Sequence, residues 1–214
     1  YIGVSERFSP APDAPDEAAR IRSKFGIKGD YFLNLGVIQP RKNQARLIKA
    51  FEIFRAERPS DKTQLVLAGQ KGWITDEFDR RLAASPMKDD IIVTGLVDDA
   101  DIPALMRCAK AFVFPTLLEG FGLPALEAMA SGIPLIASDI PVLREIAGGC
   151  AIFIDPLDER SIAGGLTRIA AGGEAARGMV ARGLERAGNR MFTWDRMAES
   201  YLEIYAAAAK TKKP

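Results

Sequence analysis

The stretch "FPTLLEGFGLPALEAMASG", residues 114–132, changes character twice. It leaves an apolar run, passes a turn holding Gly120 and Gly122, and enters a helical pattern in which Pro124 suits the first helical position and Gly132 a helix stop. This is strand, turn, helix. Backbone N–H groups at such a helix start face a phosphate or similar anion. Glu119 precedes the turn and Glu127 lies about one turn into the helix, so both carboxylates can line one concave site on either side of an anion. As acceptors they match hydroxyl-bearing groups, a ribose diol on one side and a sugar on the other. The plainer alternative is that Glu127 only favours the helix dipole and Glu119 is a surface residue of the loop.

Outward from this unit the same alternation repeats. Short β-branched and aromatic runs at 31–37, 63–69, 90–95, 111–115, 133–139 and 151–156 predict six strands. Amphipathic stretches separate them. One covers 43–58, with Leu47, Ala50, Phe51 and Phe54 on one face behind Asn43 as a cap, and another covers 158–170, opening at Asp158. Strands apolar on both faces, alternating with helices, predict an α/β fold: a Rossmann-like parallel sheet covered by helices on both sides. Ligands of such sheets sit at the carboxyl ends of the strands, so the turns after the strands are where function is expected. Residues 1–20 read as a Pro- and Asp-rich linker and lead-in, 21–190 as the sheet domain, and 191–214 as a C-terminal helix and a frayed tail. Residues 174–209 hold two helices without an intervening strand. The last, opening at Thr193, carries Trp194, Met197, Tyr201, Leu202 and Tyr205 near one face and needs a partner.

Composition narrows the chemistry. With 214 residues, 48% hydrophobic and 27% charged, the chain affords a sizeable core in one or two domains. A formal net charge of +1 gives no field that calls for nucleic acid or an anionic membrane surface. There is no histidine, which removes the commonest general base near neutral pH and the commonest metal ligand. Carboxylates, cations, hydroxyls and backbone must do the work. Cys108 and Cys150 read as buried free thiols of a reducing, cytoplasmic compartment. The apolar runs are far shorter than the roughly twenty residues of a membrane span, and "YIGVSERFSP" at the start has no signal-peptide pattern.

Three further motifs admit more than one reading. "QPRKNQARLIKAF" follows the first strand and places Arg41 and Lys42 just before a helix, where they can meet an anion or form only a solvated basic turn. "GFGLPA" at 120–125 satisfies a G-x-G-x-x-A dinucleotide fingerprint, with Asp139 some way on at a strand end. Yet that fingerprint belongs to a first strand–helix turn, and this copy follows the fourth strand. "DAD" at 99–101 offers a metal clamp for a diphosphate, or ordinary acidic residues opening a helix.

Taken together, these residues carry a resemblance. "EGFGLPALEAMASG" is similar to the E-x(7)-E signature of retaining GT-B glycosyltransferases of family 4, the group 1 glycosyltransferases. "LNLGVIQPRKNQARLIKAF", "LVLAGQKGW", "IIVTGLVDDADIPALMRCAKAFVFPTLLEGFG" and "IPLIASDIPVLREIAGGCAIFIDP" resemble that family's carboxyl-terminal domain in order, over residues 30–170. The pattern is most similar to a bacterial branch with many mannosyltransferases of polysaccharide assembly.

The resemblance implies the donor-binding half of a two-domain, retaining hexosyltransferase that takes a nucleoside-diphosphate sugar such as GDP-mannose without metal or cofactor. By the same resemblance, Glu119 binds hydroxyls of the transferred sugar and Glu127 the ribose diol. Backbone around Gly120, Phe121, Gly122 and Leu123 holds the sugar and distal phosphate, Lys42 the diphosphate, and the loop at Leu96 and Val97 the base. Many members carry an arginine directly after the glycine of the first strand. Here Val37 follows Gly36, and Arg41 is expected to supply that charge. The acceptor, a saccharide or lipid-linked sugar, is expected on an N-terminal domain that also brings peripheral membrane association. Rival classes are a nucleotide-sugar-binding module without transfer, and half of a sugar-nucleotide epimerase.

Overall fold

The computed structural model describes residues 1–10 and 15–211. Residues 11–14 of the expected lead-in and 212–214 of the expected tail lie outside the described residues. Six strands form: β1 (Tyr31–Leu35), β2 (Gln64–Ala68), β3 (Ile91–Gly95), β4 (Ala111–Phe114), β5 (Leu135–Ser138) and β6 (Ile152–Ile154). Around them lie α1 (Pro15–Phe25), α2 (Gln44–Glu57), α3 (Asp76–Ala84), α4 (Ile102–Arg107), α5 (Leu123–Ala130), α6 (Pro141–Ala147), α7 (Glu159–Ala170), α8 (Glu174–Ala187) and α9 (Trp194–Thr211).

All five strand pairings are parallel, in the order β3-β2-β1-β4-β5-β6. This is the α/β Rossmann-like sheet that the alternation predicts. The chain builds outward from β1 to β3, then crosses back to lay β4 on the free side of β1. At that reversal the connections leaving β1 and β4 diverge to opposite faces and a crevice opens beyond the carboxyl ends of the strands.

Period-two side chains divide the core into two layers. Tyr31, Leu33, Phe112 and Phe114 pack with Leu105, Leu126 and Leu143 on one face. Phe32, Leu65, Val113 and Ile136 pack with Phe51, Phe78 and Leu166 on the other. Burial of such side chains, about 1.5–3 kcal/mol each, is what holds helices to sheet.

Several ends follow the sequence reading. Asp158 caps α7, its carboxylate accepting from the Arg160 N–H at 2.8 Å. Thr193 caps α9, its hydroxyl accepting from the Arg196 N–H at 3.2 Å. Gly132 ends α5 with φ +71°. Both cysteines are free thiols, Cys150 buried as expected and Cys108, against expectation, only half-buried.

Other details differ. Asn43 is not a side-chain cap: it sits in the left-handed region at φ 64°, and its amide turns away from α2. The lead-in is not wholly extended, since α1 starts at Pro15, and Phe8 is buried in the core. Residues 206–211, read as frayed tail, continue α9, as a run of alanines favours. On α9, Trp194, Tyr201, Leu202, Ile204 and Tyr205 are exposed, so most of its apolar face has no cover.

Candidate functional site

The crevice between β1 and β4 is where the sequence-predicted residues meet. β1 runs straight into Gly36, whose φ of +141° favours glycine and where an added Cβ would lie 3.4 Å from Lys42 Cε. The backbone can thus fold back over the lysine stem. Residues Pro40–Lys42 make one 3-10 turn, which is locked from the β4 side: the Leu117 N–H donates to the Arg41 carbonyl at 2.9 Å.

Glu119 then receives three donors on a single oxygen. Its Oε1 accepts from Lys42 Nζ at 2.8 Å, Arg41 Nη1 at 2.9 Å and the Thr116 hydroxyl at 2.8 Å. The Lys42 and Glu119 side chains are only 11% and 10% exposed, whereas Arg41 keeps 40%, so this is a buried ion pair with a second cation at its rim. Lys42 also lies 4.8 Å from the Phe114 ring centroid, over its negative face. A desolvated ammonium needs an anion close by, and Glu119 supplies it.

Two residues beyond Glu119 the chain reaches Phe121, then turns at Gly122. Gly122 has φ +90°, and a Cβ there would meet Leu143 Cδ2 at 2.6 Å, so both backbone and space require glycine. Around Gly120, by contrast, nothing lies within 4 Å of where a Cβ would sit. Leu123 opens α5 with Pro124 in its first turn, which leaves the first N–H groups of the helix beside the Glu119 cluster. Phe121 packs edge-on to Tyr1 and Phe192 and lines a cavity of about 470 Å³ with Tyr1, Ile2, Met197 and Tyr201. A second cavity, about 220 Å³, lies on the far side of the Arg41–Lys42 turn, among Gln39, Arg46, Ile74 and Phe78. Neither cavity includes Glu119 or Glu127.

Glu127 behaves differently from Glu119. Its side chain makes no hydrogen bond or ion pair among the described residues, and burial pushes its pKa up to about 7, the charge of Arg7 pulling the other way. A carboxyl held in that state has unused acceptor capacity.

Of the third-strand loop, Leu96 is 77% exposed, but Val97 turns its side chain into the core at 6%. The β3–α4 loop therefore offers a ligand Leu96 and its backbone, not the Val97 side chain. The metal clamp does not form as such. Asp101 is buried and holds Arg20 and Lys24 of α1, and hydrogen bonding to Lys24 first and Arg20 second keeps its pKa below the usual carboxylate range. Asp139, the acid a dinucleotide fingerprint needs, pairs with Arg144 on α6. Among the described residues no group of three or more potential metal-ligating Cys, Asp or Glu side chains forms, and no helix is long and apolar enough to cross a membrane.

Thr116, directly after "AFVFP", carries no signal of its own in the sequence, and its hydroxyl lies between the Arg41 carbonyl and Glu119. Asn43, a cap by its position, does not take that role in the structure.

Fold and site define a Rossmann-like α/β domain with a cationic turn and a glycine-opened helix at its switch point. Residues 17–186 match the family of glycosyl transferases group 1, and the chain belongs to it. It is 30% identical over 195 residues to O-antigen chain mannosyltransferase B of Escherichia coli, which covers 91% of this chain and 50% of that protein. It is 35% identical over 161 residues to the serotype-specific mannosyltransferase WbdA of E. coli, over 74% of this chain and 20% of the relative. A glycosyltransferase from Rickettsia africae shares the fold at TM-score 0.86 and 19% identity, over 99% of this chain and 57% of that one. The chain thus spans half or less of the length of these curated relatives.

Proposed function

We propose that this chain is the donor-binding half of a retaining hexosyltransferase that draws its sugar from a nucleoside diphosphate, GDP-mannose or a close analogue, without a divalent ion. The observation that carries the reading is the gathering of Lys42 and Arg41 on Glu119 beside the glycine turn that opens α5. Breaking a bond between a sugar and a diphosphate puts negative charge on the leaving group, and catalysis consists largely of stabilising that charge. Two cations and a helix N-terminus supply it here. Each donor held by Glu119 has a use: Lys42 and Arg41 turn to the diphosphate, and the freed carboxylate accepts hydroxyls of the sugar.

The remaining roles follow position. The open space over Gly120 lets a ligand approach the backbone of Gly120, Phe121, Gly122 and Leu123, whose N–H groups hold sugar and distal phosphate. Glu127, unpartnered and part-buried, accepts from the ribose diol. Leu96 and the backbone at Val97 face the base. The acceptor, a saccharide or lipid-linked sugar, binds the half of the enzyme that lies outside this chain, and that half brings any membrane association. The similarity to mannosyltransferases of O-antigen chains supports mannose as the sugar.

Calorimetry of the 214-residue chain with GDP-mannose, UDP-glucose and ADP-glucose tests this. Binding of one of them, unchanged by EDTA and weakened by salt, is the expected outcome. With labelled donor and candidate acceptors, the chain is expected to transfer no sugar, because positioning of two reactants is a large part of such catalysis. Absence of binding to all three donors, or binding abolished by EDTA and restored by magnesium, would overturn the proposal.

A further inference from the structure

The geometry points to Asn43 as a positioning residue: its amide holds the Arg41–Lys42 turn against the ends of β4 and β6, and so sets where the Lys42 ammonium stands for a diphosphate. The inference rests on the donor-site reading above.

Asn43 is 6% exposed and is one of two non-glycine residues with positive φ among the described residues, at 64°. In that conformation the chain leaves the 3-10 turn and enters α2 with the Asn43 side chain pointing across the sheet instead of along the helix. Its Nδ2 donates both hydrogens, to the Pro115 carbonyl at 2.9 Å and to the Pro156 carbonyl at 2.7 Å. These are the first residues beyond the carboxyl end of β4 and the second beyond that of β6. Its Oδ1 accepts from Arg46 at 2.8 Å, so the amide orientation is fixed by all three groups. No other residue type fills both needs: glycine takes the backbone conformation without the donors, glutamine has the donors but a backbone that resists positive φ. Lys42 is the residue before it, and Glu119 follows Pro115 by four. One amide therefore joins the turn that carries the cation to the strand end that leads to its counter-ion.

The test uses the chain itself. Wild type, Asn43→Gly, Lys42→Met and the double variant are titrated with GDP, UDP and ADP and with the matching nucleosides. Asn43→Gly is expected to weaken the diphosphate that wild type prefers by about tenfold, the size of one lost charged hydrogen bond, while the matching nucleoside binds as before. In the Lys42→Met background the same change is expected to cost less than about twofold, because the cation it positions is gone. A lower melting temperature with unchanged diphosphate-to-nucleoside discrimination would overturn the inference, as would an equal loss with and without Lys42. Should Asn43→Gly fail to fold, Asn43→Asp keeps the shape without the two donors. A loss there that persists in the Lys42→Met background is mere charge repulsion and also overturns it. If wild type binds no nucleoside diphosphate at all, the donor-site reading falls first and this inference with it.

Discussion

Two carboxylates eight residues apart live in opposite surroundings. Glu119, in the loop after β4, is firmly held: one oxygen takes two cations and a hydroxyl. Glu127, on α5, has no side-chain hydrogen-bond or ion-pair partner among the described residues, and burial, opposed only by the charge of Arg7, raises its pKa. The first is a member of a buried ion-pair cluster; the second is a part-buried carboxyl without a partner among the described residues, which the fold tolerates at a cost. The difference comes from what stands opposite. A loop from β1 brings cations to Glu119, whereas nearby the α5 position only the charge of Arg7 is felt.

The comparison breaks most readily at Glu119. Removing one partner of a buried pair leaves the other uncompensated, so Glu119→Ala is expected to lower stability by about 3 kcal/mol, seen as a fall of roughly 10 °C in melting temperature. Free nucleoside diphosphate should bind that variant at least as well as wild type, since Lys42 and Arg41 then lack an anion, while preference for the sugar-bearing form is lost. Equal losses for both ligands would erase the distinction between the two glutamates.

Next in size is the pH behaviour of Glu127. Its pKa is raised in the fold from 4.5 to about 7, so the folded state keeps its proton where the unfolded chain has released it. Stability is therefore lost as pH rises through that window. Above about pH 7 the loss is complete, and Glu127→Gln is expected to be more stable than wild type by about 2 kcal/mol, the full shift being discounted for partial access to water. Near pH 4 the two should melt alike. Identical pH profiles would show that Glu127 has a partner in solution.

Removing the acceptor sharpens the same contrast. Glu127→Ala should weaken nucleoside diphosphate binding by about tenfold with little change in sugar selectivity, the loss expected for one charge-assisted hydrogen bond. Calorimetry with matched diphosphate and sugar-diphosphate ligands reads both. The smallest effect on binding is expected for Thr116→Val, which should cost about 1.5 kcal/mol of stability, the low end for a lost hydrogen bond to a charged carboxylate, with donor binding reduced less than in any Glu119 or Lys42 variant. A larger loss than that of Glu119→Ala would place the hydroxyl, not the carboxylate, at the centre of the cluster.

The elements were legible because their signals are local. Strands β1 to β6 lie within the apolar runs, α2 and α7 start and stop within a residue or two of their periodic stretches, and the turn at Gly120 and Gly122 announces itself. The directions of single side chains were not. Val97 sits in the loop after β3 yet faces the core, in the cluster that also takes Ala104, Leu105 and Met106 of α4. Asn43 stands at a helix start, where asparagine is usually a cap, but the left-handed backbone aims its amide elsewhere. The last helix shows the same divide. Its apolar stripe is plain in "TWDRMAESYLEIYAAA", and only the structure shows Met197 and Ile204 lining the cavity beside Phe121 while Leu202 and Tyr205 stay exposed away from it.

By itself, then, the sequence determined what depends on neighbours along the chain: six strands alternating with helices, a glycine turn between two glutamates, a basic turn after the first strand. Propensity, capping and hydrophobic period act over a few residues, and they leave their marks in order. Which turns share a crevice is set by strand pairing between segments far apart, Phe32 with Ala111 and Leu33 with Phe112. Only when β4 lies against β1 do Lys42 and Glu119, more than seventy residues apart, come within 2.8 Å, and only then do the Asn43 amide and the Thr116 hydroxyl find their partners. The tertiary structure decided these contacts because hydrophobic burial on both faces of the sheet, not any signal at the residues themselves, brings the two strand ends together.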